Sequence, residues 1–163
     1  MRLALVFIPF IFAAVLVLSN RMGGIGTIVS PSIDVQERIA YYASQWRLET
    51  ALVKAVAKVE SNFKVRAKNP ADPSYGLMQI TPALAYDYGL ISNYKDPSWL
   101  EIEMIYDINN NLSVACWFMS RLHSKYGFDQ AVQSYNVGER GYKIGYRNSD
   151  YLEKVRRAYE KYS

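Results

Sequence analysis

Apolar residues recur at helical spacing through most of this chain. Val35, Ile39, Tyr42, Ala43 and Trp46 share one helical face, and Ser32 or Asp34 stands where a cap is needed, so a first helix is predicted to about Trp46. Arg47-Leu48 makes a short break. A second helix starts near Glu49 and runs through Leu52-Val53-Lys54-Ala55-Val56-Ala57-Lys58-Val59-Glu60. Thr81-Pro82 reads as a helix start with proline at its first position, ending at Gly89. Ser98 caps a short helix from Trp99. A longer helix over about 108–126 buries Leu112, Ala115, Cys116, Met119 and Leu122 and stops at Gly127. Asp129 is placed to cap a helix over 130–136, and Gly138, Gly141 and Gly145 then break regular structure. A last helix, about 149–162, sets Tyr151, Leu152, Val155 and Tyr159 on one side. The pattern is mainly α. Residues 64–75, with Pro70 and Pro73, resist helix, and only a short irregular β/loop region is expected there.

Glu60 breaks the apolar pattern. Val53 and Val56 precede it by seven and four positions and Phe63 follows by three, so helical period puts all four on one face. A carboxylate facing the interior or a cleft is costly to ionise, and the negative end of the helix dipole adds to that cost. Both effects favour the protonated form that a general acid requires. The alternative is a helix-end glutamate turned into solvent.

The N-terminus differs in kind. Leu3–Leu18 is sixteen uncharged, almost wholly apolar residues between Arg2 and Arg21, with no acidic residue before Asp34. This describes a secretory signal or an uncleaved anchor, residues 1–21, followed by an uncharged Gly- and Ser-rich linker, 22–31, and one domain, 32–163. Export is the expectation.

Composition narrows the function. Half of the 163 residues are hydrophobic, which suits one globular domain. The formal charge is +4. Removing Arg2 and Arg21 leaves 17 basic and 15 acidic side chains, or +2. That balance excludes a strongly basic nucleic-acid binder and permits attraction to an anionic wall. Cys116 and His123 are single and assemble no metal motif. Fourteen tyrosines suit a sugar-binding cleft, as they also suit an ordinary surface.

Four ordered blocks carry more. They are Glu60-Ser61, then Gly76-Leu77-Met78-Gln79, then Ser134-Tyr135-Asn136-Val137-Gly138, then Tyr151-Leu152-Glu153-Lys154-Val155. This order, across roughly 34–160, resembles the catalytic domain of the soluble lytic transglycosylases, which has a lysozyme-like fold. The resemblance implies an enzyme that cleaves the MurNAc-GlcNAc β-1,4 bond of peptidoglycan without water, giving 1,6-anhydro products and using no cofactor. It implies one glutamate, Glu60, acting as acid and then base while the muramic acetamide assists departure. It also implies substrate contacts from Ser61, Gly76, Met78, Gln79, Tyr135, Asn136 and Tyr151. Gly76 would let backbone approach the sugar, and the Gln79 amide would meet an N-acetyl group. Met78 and Ile80 suit plain core equally, and Tyr135 suits helix packing. The partners implied are glycan strands, with a secretion, pilus or phage assembly and a membrane contact also compatible. The location implied is periplasmic, anchored facing the wall, or virion-associated.

Two departures stand out. Lys64 replaces a proline frequent after the Glu-Ser-x-Phe segment, and Val137-Gly138-Glu139-Arg140-Gly141 replaces a Gly-Pro-Gly run. Asp72, within Pro70-Ala71-Asp72-Pro73, is the acidic residue between the first two blocks and reads as a solvated turn carboxylate. A water-using lysozyme or a non-catalytic wall-binding protein would share the fold.

Overall fold

A computed structural model describes residues 34–163. The signal or anchor, the linker and the Ser32 cap fall outside the described residues. Eight helices follow in order: α1 Val35–Gln45, α2 Thr50–Ser61, α3 Pro82–Tyr88, α4 Trp99–Tyr106, α5 Ile108–Tyr126, α6 Phe128–Val137, α7 Glu139–Lys143 and α8 Ser149–Tyr162. None of these helices is long and apolar enough to cross a membrane.

The caps follow from local chemistry. The Asp34 carboxylate accepts from the backbone N–H groups of Gln36 and Glu37, satisfying donors that the first turn of α1 leaves open. Ser98 and Glu101 form a reciprocal capping box on α4. Thr81 caps α3 ahead of Pro82.

α2 is apolar on nearly every side and lies inside the domain. Ala51, Leu52, Val53, Ala55, Val56, Ala57 and Ser61 are all buried. α8 packs along it more extensively than any other helix pair, through Tyr151, Val155 and Ala158. α5 is the second axis, packing against α1, α3, α4 and α6. Its buried stripe includes Leu112, Met119 and Leu122, and they join Ile39, Ile105 and Val132 in one core. Cys116 is fully buried there, and burial pushes its thiol up to about 12, so it packs as a small hydrophobe.

Three local expectations are corrected. No strand forms between 64 and 80. Two isolated antiparallel bridges, Lys68 with Tyr75 and Tyr75 with Ile80, take its place, because each segment is too short for a ladder. Asp129 does not cap α6. Gly127 is the cap, and Asp129 lies in the first turn, where it pairs with Arg156. Gly141 does not interrupt structure but sits within α7.

Phe63 also leaves the face assigned to it. Asn62 and Phe63 both adopt left-handed backbone, φ 52° and 63°, so α2 ends at Ser61 and the chain turns away. Phe63 instead meets Tyr162 of α8 edge-on, with ring centroids 6.1 Å apart. Such backbone is costly for non-glycine residues, and here it falls directly after Glu60-Ser61.

Candidate active site

The end of α2 delivers Glu60 to a cleft of about 1590 Å³. Ser61, Gln79, Tyr135 and Asn136 also line it. Glu60 is mostly withdrawn from solvent, and burial pushes its carboxyl up to about 7 from an ordinary 4.5. The Tyr151 hydroxyl, which donates to Glu60 Oε1 at 2.5 Å, opposes that rise without cancelling it. Burial and the neighbouring Glu60 raise the Tyr151 and Tyr135 phenols well above their ordinary value, so both remain neutral donors.

Tyr151 stands behind the acid, since α8 packs on α2 and only 6 % of the residue is exposed. It orients Glu60 and leaves the second carboxylate oxygen unclaimed by any hydrogen bond among the described residues. Ser61 turns inward, its Oγ donating to the Ala57 carbonyl at 3.1 Å.

The loop carrying Gly76-Leu77-Met78-Gln79 is pinned from several sides. The Met78 N–H donates to Asn111 Oδ1 at 2.8 Å, and the Met78 carbonyl accepts from the Tyr135 hydroxyl at 2.9 Å. Asn111 Nδ2 donates to the carbonyls of Tyr75 and Ile105, each at 2.9 Å. The Met78 side chain is 1 % exposed and belongs to the core, not to the cleft surface. Gly76 is buried too. A Cβ there would lie 2.4 Å from Asn111 Nδ2, and its φ is +82°. Packing against Asn111 by itself therefore requires a glycine here.

Gln79 does reach the cleft, at φ 50°, but its amide is already engaged. Oε1 accepts from Ser74 Oγ at 2.8 Å, and Nε2 donates to the Gly76 carbonyl at 2.9 Å. It shapes the loop from within.

Sequence reading missed Asn111 and Asn148. Asn111 is fully buried on the stripe that includes Ala115 and Leu122, and a polar residue at a core position was its signal. Asn148 joins two blocks. Its Nδ2 donates to Asn136 Oδ1 at 2.8 Å, its Oδ1 caps Tyr151, and its N–H donates to Gln133 Oε1 at 2.7 Å. No spacing in the chain announced that link.

The cleft holds three further carboxylates. Asp72 and Asp87 are exposed. Glu139 is held by Lys125, Tyr126 and Lys143, which bring its carboxyl down to about 2. Burial thus raises Glu60 while its cationic and hydroxyl partners lower Glu139. No cluster of histidine, cysteine or carboxylate side chains among these residues is arranged to hold a metal ion.

Residues 37–154 match the transglycosylase SLT domain family. Among solved structures, the chain is similar to lytic transglycosylase Slt from Pseudomonas aeruginosa, an X-ray structure of an inactive glutamate-to-glutamine mutant. The two are 18 % identical with a TM-score of 0.51, over 74 % of this chain and 20 % of that one. The likeness is one of fold, and the chain spans about a fifth of that protein's length. No curated protein matches the chain.

Proposed function

The chain belongs to the transglycosylase SLT domain family, and from that premise we propose that it cleaves the MurNAc-GlcNAc β-1,4 bond of peptidoglycan with Glu60 as the single acid and base. One observation carries this reading: a carboxyl held near pKa 7 at the cleft, oriented by one tyrosine hydroxyl. A group at that value is partly protonated at neutral pH, and its conjugate base is strong enough to take a proton back.

The steps follow. Glu60 gives its proton to the oxygen between the two sugars as that bond breaks. Positive charge grows at the muramic anomeric carbon, and the muramic acetamide oxygen attacks that carbon to form a cyclic intermediate. The Glu60 carboxylate then removes the proton of the muramic 6-hydroxyl. That oxygen displaces the acetamide, leaving a 1,6-anhydro end, and Glu60 regains its proton without water entering. The Pseudomonas lytic transglycosylase is inactive as a glutamate-to-glutamine mutant, so that protein also depends on a glutamate.

Asp72 tests the count of carboxylates. It is exposed on the 64–75 loop, where solvent screens its field. Asp72→Asn is expected to keep activity within about threefold of native, with anhydro-muropeptides as products by mass spectrometry. Crippling loss in a folded Asp72→Asn protein, together with reducing-end products from the native enzyme, would establish the water-using route instead.

We place the domain on the wall side of the cytoplasmic membrane, on the strength of the apolar 3–18 segment and the substrate. A reporter fused after Ser163 is expected to be active only if it works outside the cytoplasm. A cytoplasmic signal from that fusion overturns this placement.

A further inference from the structure

The positive charge of the domain is concentrated in its cleft. From Asp34 onward the chain carries 17 basic and 15 acidic residues, and the cleft takes 7 of the former and 4 of the latter. The rest of the surface is left with 10 and 11.

Ion pairs do not offset this excess. Away from the cleft Arg66, Arg156 and Arg157 each bind a carboxylate, three of the ten basic residues there. Inside it, Lys125 and Lys143 share Glu139, while Lys58, Lys64, Lys68, Arg121 and Arg140 form no ion pair among the described residues. Five cations facing one cleft repel each other, and an anionic ligand would relieve that repulsion.

Of the five, Arg121 makes the closest approach to an aromatic ring. It lies one turn beyond Trp117 on α5, and both line the cleft. Its guanidinium carbon sits 4.8 Å from the Trp117 ring centroid. Stacking on the indole restricts the guanidinium before any ligand arrives, and it leaves the N–H edges free. Those edges match a carboxylate in bidentate geometry. Trp117 is itself held from behind by Tyr88, edge-on at 5.4 Å.

We propose that this wall of the cleft, Arg121 laid over Trp117, is a subsite for carboxylates borne by the glycan. It deepens the peptidoglycan reading above and rests on it. The enzyme then takes acid-bearing muramic strands in preference to neutral N-acetylated ones. Two sources supply the same chemistry: the peptide stem, or the lactyl carboxylate exposed when a stem has been removed.

The test uses the Glu60→Gln protein, so that strands are bound and not consumed. Three probes are compared by stopped-flow tryptophan fluorescence: stem-bearing strands, amidase-stripped strands, and neutral N-acetylglucosamine oligomers of equal length. At least one acidic probe is expected to bind about tenfold tighter than the neutral one at low salt, with the gap shrinking at high salt. Arg121→Gln is expected to erase most of that gap and leave the neutral probe unchanged, while Arg121→Lys restores part of it. Tight binding of the stem-bearing probe alone assigns the subsite to the stem, and tight binding of the stripped probe assigns it to the lactyl group. Equal affinity for all three probes, or an equal loss for all three on Arg121→Gln, overturns the proposal. The catalytic reading fails separately, by continued cleavage of strands in the Glu60→Gln protein.

Discussion

Glu60→Gln is expected to lower the rate of wall cleavage by on the order of 10²-fold or more while the protein stays folded. The amide matches the carboxyl in size, and its oxygen still accepts from Tyr151, so the local geometry survives. What is lost is the transferable proton. The native enzyme should also lose kcat/KM as pH rises above about 7, because the acid form disappears through the raised value. Stability gives an independent check. Between the ordinary 4.5 and about 7, the folded state keeps a proton that the unfolded state releases, so native stability falls as pH rises through that window. Glutamine removes this penalty. Thermal unfolding should therefore show the variant about 1–3 kcal/mol more stable than native at pH 8, with the gap closing by pH 5. Near-native cleavage by the variant would sink the assignment of the acid, and equal stability at both pH values would show that Glu60 is not held protonated by burial.

Asn111→Ala should unfold the site rather than silence it. One amide satisfies the Met78 N–H and the carbonyls of Tyr75 and Ile105, so its removal strands three backbone groups in or beside the core. The expected cost is about 2–5 kcal/mol, seen as a Tm lowered by roughly 10 °C or more in calorimetry. Gly76→Ala should be severe in the native background, since its Cβ would overlap Asn111 Nδ2 at 2.4 Å. In an Asn111→Ala background that overlap is gone and only the cost of the positive φ remains, so the two changes together should be less damaging than their sum. Additive losses would show that the loop is held by something other than this contact.

The helices were legible because each announces itself locally. Asp34, Thr81 and Ser98 are caps chosen by residue type, and Gly89 and Gly127 end helices at positive φ. Glu60 stood out as a candidate because α2 is apolar enough to make one carboxylate conspicuous, and the structure brings it to the cleft. The details that failed depend on distant or unusual backbone. Phe63 left its predicted face because two successive residues turned left-handed, which no periodicity describes. Met78 and Gly76 face away from the cleft because Asn111, more than thirty residues later, claims the backbone between them. Gln79 spends its amide on its own loop, since Ser74 and Gly76 lie within reach once that loop curls.

The hydroxyl that orients the acid comes from Tyr151, 91 residues after Glu60 in the chain. At roughly 5–20 residues per second, a ribosome that has made Glu60 needs about 5–18 s more to reach its partner. Until α8 docks on α2, the carboxyl lacks both the apolar wall that raises its pKa and the hydroxyl that aims it. A nascent or clipped chain therefore carries its acid in an ordinary, ionised state. On the activity proposed above, potency arrives only once α8 has docked, and damage to that helix disarms the domain instead of releasing it.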